Sequence, residues 1–392
     1  MSVQREAYYE ALQLIRMLEA VINQHKVYSD KKLFHWDSVY KTAEFHRVTN
    51  MAYYAVLGME TKMPASSREK FEKRFRQAVA NEEVLQNVAD AVCWKFEQSK
   101  RHILPTAGYA CREYYGRKEM SECQEAEFLI ERECRGLLQE LMLQMNFEFQ
   151  KKDKNSILYS RNGIRLIFRE KWGDSSKRVQ KYFKQRPVEF AVKEGFQYVH
   201  EMTAEELYLR QICDLAECFV TGYPRMRMFV NLWLFYLGNN EVLDYRAVGV
   251  GLKKLQLEEF AHRMLNLSAL WFGRIQLEEE DVIGQELGLY VMSAGKEGAR
   301  AVKRLLPYKC EREEKELILQ RGKGAGREWR FPPREYMEAL YPILGPCPFL
   351  LPIFWGIRMV RLLCYTLWGR MQGRKKQKKA AEKNETTIWE NS

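Results

Sequence analysis

The sequence predicts an α+β protein, a small mixed sheet with helices against it and helical regions before and after. Two observations carry the prediction. Apolar residues recur at intervals of three and four along residues 5–100, and again beyond about 185, which is the period of helices buried on one face. Between residues 102 and 170 the apolar runs shorten to strand length and turn chemistry separates them.

The elements follow in order. Leu12, Ile15, Leu18, Val21 and Ile22 mark a first helix, and similar stripes run through 38–58 and 67–99. Asp37 and Ser67 stand where side-chain caps belong. At His102 the texture changes: Ile103 and Leu104 meet Pro105 and Gly108, and a helix-sized segment ends near Tyr115. Phe128–Ile130 reads as a second strand, followed by a helix whose face is Leu137, Leu138, Leu141 and Met142. Three strands are expected at 146–151, 156–161 and 164–170, joined by Lys152-Asp153-Lys154-Asn155 and by Asn162-Gly163. Thr203 with Glu206 forms a capping-box pattern that opens a helix through Leu207, Ile212, Leu215 and Phe219. Further helices are expected at 225–237, 257–271 and 281–293, and no fixed-period repeat appears.

Composition narrows the classes of function. The chain has 392 residues, is 46% hydrophobic and 29% charged, and carries 63 basic against 52 acidic residues. Such a chain can bury a large core, and the values exclude collagen, coiled coil and wholesale disorder. Charged residues from Arg5 to Lys26 interrupt the opening segment, so a cleaved secretion signal is not expected. Nine cysteines, an odd number without a Cys-x-x-Cys pair, suit reduced, buried thiols in a cytoplasm rather than a disulfide framework or a zinc site. Of the net charge of +11, +6 falls within residues 370–383, so a basic tail follows a nearly neutral body.

In the central segment Leu104-Pro105-Thr106-Ala107-Gly108, Glu125-Ala126-Glu127 and Ile167-Phe168-Arg169 follow one another in an order that resembles the uncharacterised nucleotidyltransferase family, a branch of the polymerase-β-like nucleotidyltransferase superfamily. In that family a strand ends in a Leu-x-Lys-Gly turn and leads to a short helix ending in a Tyr-Tyr or Leu-Tyr pair. The corresponding stretch is Leu104-Pro105-Thr106-Ala107-Gly108, ending in Tyr114-Tyr115. The family's Asp-x-Asp strand aligns with Glu125-Ala126-Glu127-Phe128-Leu129-Ile130, and its acid-x-His strand with Ile167-Phe168-Arg169. Paired histidines on a later helix fall at Asp214 and Cys218. A Gly-rich turn becomes Gly222-Tyr223-Pro224-Arg225-Met226-Arg227, followed by Asn231-Leu232-Trp233, and Leu270-Trp271-Phe272-Gly273 matches a recurrent helix end.

The resemblance implies a polymerase-β-like core, a nucleoside triphosphate substrate and magnesium held by Glu125 and Glu127. Carboxylates at i and i+2 of a strand share a face, so both glutamates keep the charge and direction the chemistry needs. They do not keep its reach: each carries one methylene more than aspartate, while magnesium demands near-octahedral ligands at about 2.0–2.1 Å. The third acid is replaced by Ile167, which can neither bind metal nor accept a proton. Glu170 would face the far side of a regular strand and reads as a solvated charge. The phosphate-side lysine is Ala107; Gly108 remains as a point of backbone approach and Arg227 as a retained cation, although a tight turn and a structural ion pair are their simpler readings. Trp233 and His102 read as structural. No Walker loop, dinucleotide fingerprint or His-Glu-x-x-His helix is present.

Residues 341–369 are apolar but broken by prolines, Arg358 and Arg361, so a membrane span is not expected. The stretch 349–383 has the composition of a peripheral membrane or acidic-partner anchor; a last core helix with a solvated tail is its simpler reading, and no specific nucleic-acid motif accompanies it. The expected organisation is N-terminal helices at 1–60, an α+β nucleotidyltransferase-like core at 61–180, a helical domain at 181–340, and an apolar helix with a basic tail at 341–392. The expected function is a catalytically degenerate nucleotidyltransferase, a cytoplasmic pseudoenzyme with residual nucleotide binding or scaffolding. An active magnesium enzyme using Glu125 and Glu127, with Glu170 or Asp214 as third acid, and a membrane-surface adaptor are the alternatives.

Overall fold

The computed structural model describes residues 3–27, 35–58, 63–152, 155–172, 176–221, 224–273, 282–293 and 352. All but the last lie in one compact unit, Met1–Glu313; Glu314–Ser392 cluster separately. Apart from Pro352, the expected anchor and basic tail lie outside the described residues, as do Cys310, Cys347 and Cys364.

Four helices come first: α1 (Val3–Ile22), α2 (Trp36–His46), α3 (Thr49–Leu57) and α4 (Ala65–Gln98). The stripe at 38–58 is therefore two helices rather than one. Arg47 takes a left-handed conformation with φ 54°. Its N–H bonds the Glu44 carbonyl, and the N–H of Val48 bonds that of Ala43, which closes α2 as a glycine usually would. Asp37 and Ser67 are not caps, since His35 and Pro64 occupy those positions. Instead the Ser67 hydroxyl donates to Asp37 Oδ1 at 3.3 Å and ties α4 to α2.

The sheet follows as expected. Strand β1 (Ile103–Pro105) leads into the one-turn α5 (Ala107–Ala110) and a 3-10 turn, Cys111–Tyr114. Then come β2 (Glu125–Ile130), α6 (Arg135–Gln144) and the meander β3 (Glu148–Lys152), β4 (Ser156–Arg161) and β5 (Ile164–Arg169). The spatial order is β1-β2-β5-β4-β3, with β2 and β5 parallel and the other pairs antiparallel. Asn162 at φ 50° and Gly163 at φ 84° make the tight turn that fixes the β4–β5 register. Along β2 and β5 alternate residues Ala126, Phe128, Leu166 and Phe168 are buried, and the two phenylalanine rings stack at 5.3 Å. The opposite face is left to Glu125, Glu127, Arg165, Ile167 and Arg169.

Helix α7 (Lys177–Tyr182) and a two-stranded ribbon, β6 (Ala191–Val192) with β7 (His200–Glu201), complete the core, and Val199 bridges to Ile103 on β1. Two-residue strands carry no period, so the ribbon left no pattern to read. His102 is structural, as expected: its Nδ1 lies 2.8 Å from Nε2 of the buried His200.

The helical half comprises α8 (Ala204–Thr221), α9 (Met226–Asn239), α10 (Tyr245–Leu255), α11 (Glu258–Phe272) and α12 (Val282–Met292). The capping box that opens α8 is formed, with Thr203 N–H donating to Glu206 at 2.9 Å and Glu206 N–H to Thr203 Oγ1 at 3.3 Å. Helix α10 was not anticipated, although its signal is present: the Asp244 carboxylate accepts from Arg246 and Ala247 N–H, and Val248, Leu252 and Leu255 form a buried face. Trp233 is core, 4% exposed. The six cysteines among the described residues are free thiols, four of them buried.

His46 joins the first helices to the second half, because its buried Nδ1 accepts the backbone N–H of Met226 at 3.3 Å. Burial, reinforced by Arg225, pushes its pKa from 6.5 down to about 3. The unfolded chain therefore takes up this proton first. The resulting stability is complete above pH 6.5 and is lost as pH falls toward 3. Between pH 7 and pH 5 this site is expected to cost about 2 kcal/mol. Urea titrations of the protein and of His46→Asn at both pH values should show that difference in the parent only; parallel pH dependences would refute the assignment.

Candidate functional site

The sheet places Glu125 and Glu127 on one face, as their spacing requires, with side chains 29% and 23% exposed. What surrounds them is set by the parallel register, which sets Glu125 beside Arg165 and Glu127 beside Ile167. Arg165 Nη2 lies 2.8 Å from Glu125 Oε2, and Arg47 Nη1 reaches Glu125 Oε1 at 3.5 Å. Arg169 Nε lies 2.8 Å from Glu127 Oε1, and the Thr106 hydroxyl donates to the same oxygen at 3.5 Å. Both carboxylates are thus held by guanidinium groups of the neighbouring strand. Burial raises the pKa of Glu127, Arg169 opposes the shift, and Asp214 on α8 is close enough to add to it.

Beside this pair lies a pocket of about 330 Å³ between the end of α2, the turn after β1, and helices α8 and α9. Gln211, Asp214 and Cys218 line it from α8, where their spacing puts them on one face. Arg225, at the N-cap of α9, and Arg227 and Asn231 in that helix line the other side, with Arg47, Gly108 and Cys111 completing it. Among the described residues Arg227 pairs with no acid. It donates to the carbonyls of Ser121 and Glu122 at 3.1 and 3.2 Å. Asp214 is held by Arg210 one turn earlier, whose guanidinium lies 5.0 Å from the Trp172 ring centre.

Gly108 and Arg227 therefore share a pocket with Asp214 and Cys218, while Glu125 and Glu127 stand outside its lining and touch it through Arg47 and the field of Asp214. A Cβ at Gly108 would meet nothing within 4 Å, so packing does not demand glycine there. Glu170, expected as a solvated charge, is paired with Arg135 at the start of α6, its side chain only 10% exposed. Burial also raises the thiols of Cys111 and Cys218, which suits neutral pocket walls rather than nucleophiles. Among the described residues, no three His, Cys, Asp or Glu side chains are grouped to hold a metal ion. Sequence reasoning missed Arg47, Arg165, Arg210 and Gln211. The helical spacing of Gln211 to Asp214 and Cys218 was a usable signal, whereas Arg47 is far from the others in sequence.

A family model described as an uncharacterised nucleotidyltransferase matches residues 32–273, more than half of the chain. The chain belongs to that family. The match runs from α2 to α11 and so includes every element that lines the pocket, from the end of α2 to α9. The solution structure of the antibiotic-resistance factor ANT(2'')-Ia is similar to this nucleotidyltransferase-family chain over 46% of its length and 96% of that protein's, with 12% identity and a TM-score of 0.33. No curated protein matches it in sequence. Among the described residues no helix is long and apolar enough to cross a membrane.

Proposed function

We propose that this family member is a pseudoenzyme: it keeps a ligand pocket on the nucleotidyltransferase scaffold and does not transfer a nucleotidyl group. One observation carries the reading. Both carboxylates that would hold magnesium, Glu125 and Glu127, are engaged by Arg165, Arg47 and Arg169, and Ile167 stands beside Glu127 where the third acid would be.

Magnesium would have to displace a guanidinium at each glutamate, and its strict octahedral shell would then lack a third carboxylate. These residues do not fit the ion. Glutamate at both positions adds a methylene of slack to a site whose geometry tolerates little.

The reading of an active magnesium enzyme has one observation in its favour, that Asp214 lies within electrostatic reach of Glu127. Incubating the full-length protein with each radiolabelled nucleoside triphosphate and Mg²⁺ or Mn²⁺ separates the two. The expected result is no labelled adduct and no pyrophosphate release, with Glu125→Gln and Glu127→Gln indistinguishable from the parent. Metal-dependent pyrophosphate release abolished by those substitutions would establish the enzyme instead.

A further inference from the structure

The pocket beside the glutamates is lined by three arginines, Arg47, Arg225 and Arg227, and by a single acid, Asp214, whose charge Arg210 already offsets. Three guanidiniums around one small cavity repel one another, and the effect is visible at Arg47, whose pKa is lowered by burial and then by Arg225 and Arg227. Such an arrangement calls for an anion. Arg225 is the cation available for it: among the described residues its side chain makes no hydrogen bond or ion pair, in contrast to Arg47 on Glu125 and Arg227 on two carbonyls.

A second, independent feature points into the same space. Gln211 lines the pocket, is 8% exposed, and neither its Oε1 nor its Nε2 has a hydrogen-bond partner. A buried carboxamide left unpaired at both ends is costly, and buried polar groups ordinarily find partners. Its donor and acceptor lie side by side in one plane, the complement of a planar edge carrying an acceptor next to a donor, as an amide or nucleobase does.

We propose that this pocket binds a small phosphate ester without a metal ion, the phosphate on Arg47, Arg225 and Arg227 and the ester's planar donor–acceptor edge on Gln211. The proposal rests on the non-transferring reading and names the ligand class for that site. Guanidinium forks bind phosphate oxygens in pairs and supply the positive charge that magnesium would otherwise bring. At about 330 Å³ the cavity is at the small end of ligand pockets, which run from roughly 300 to 1,000 Å³, so it suits a monophosphate ester better than a triphosphate with an acceptor.

Calorimetric titration of the full-length protein with AMP, GMP, CMP, UMP and inorganic phosphate, in EDTA and in excess Mg²⁺, tests this. At least one nucleotide should bind saturably in EDTA, with Mg²⁺ changing its affinity less than about twofold. Arg225→Gln should weaken nucleotide and inorganic phosphate alike by about tenfold or more, the loss of a charge-assisted contact. Gln211→Leu should weaken the nucleotide by about tenfold and leave inorganic phosphate unchanged. Should Arg225→Gln fail to fold by circular dichroism, Arg47→Gln gives the same reading. No saturable binding in EDTA, binding that Arg225→Gln leaves unmoved, or equal losses for nucleotide and phosphate in Gln211→Leu would overturn the proposal. Absence of binding together with absence of transfer sinks this inference alone, whereas metal-dependent transfer sinks the pseudoenzyme reading.

Discussion

Replacing Arg112 by methionine is expected to destabilise the protein by about 3–5 kcal/mol, the cost of stripping one partner from a buried ion pair. Arg112 is 1% exposed and donates to Glu82 and Gln86 on α4 and to the Tyr109 hydroxyl, and its guanidinium lies 3.8 Å from the centre of the Tyr109 ring. Burial raises the pKa of Glu82 even against the pull of Arg112. Without the arginine, that carboxylate must stay charged in a poor solvent or take up a proton. The consequence reaches the pocket, because Arg112 follows Cys111 in the turn that carries the pocket wall. Removing both charges as Arg112→Met with Glu82→Leu should recover most of the loss, since a well-packed apolar pair replaces a buried ion pair at little cost. Guanidinium denaturation of the parent and of both variants measures this. A single-variant loss below about 1 kcal/mol, no larger than a typical surface ion pair, would mean that the cluster does not hold α4 to the core.

On the pseudoenzyme reading, two substitutions should build a metal site, and this is the largest change expected in binding. Ile167→Asp places a carboxylate beside Glu127 in the parallel register, and Arg169→Ala frees Glu127 from its guanidinium. Together they are expected to raise Mn²⁺ affinity by at least about tenfold over the parent, equivalent to one well-placed charged ligand. Isothermal titration with Mn²⁺ reads the result. If Arg169→Ala alone gives the whole increase, the guanidinium and not the missing acid is what keeps metal from the parent. If the double variant gains nothing, Glu125 and Glu127 are not spaced to share a metal ion with an acid at position 167.

Local physics made much of the fold legible. The β4–β5 hairpin at 156–169 could be read because alternation and the Asn162-Gly163 turn fix its register, whereas β3 is exposed along its length and its register to β4 shifts between Phe149 and Lys151. The capping box before α8 and the shared face of Glu125 and Glu127 depend on short-range geometry and were equally readable. The break at Arg47 was not, because a left-handed arginine has no glycine or proline to announce it, and the β6–β7 ribbon was too short to show a period.

By itself the sequence determined which side chains face together along a strand or helix, and its resemblance to the family implied that Ile167 and Arg169 stand in place of an acid and a histidine. Only the tertiary structure decided what surrounds those positions. Arg47, Arg165 and Arg169 come from a helix end and a neighbouring strand to neutralise the glutamates, while Arg225 and Gln211 meet across a pocket between α8 and α9. Spacing along the chain fixes direction within one element, but charge pairing and burial depend on distances between elements, which packing alone sets.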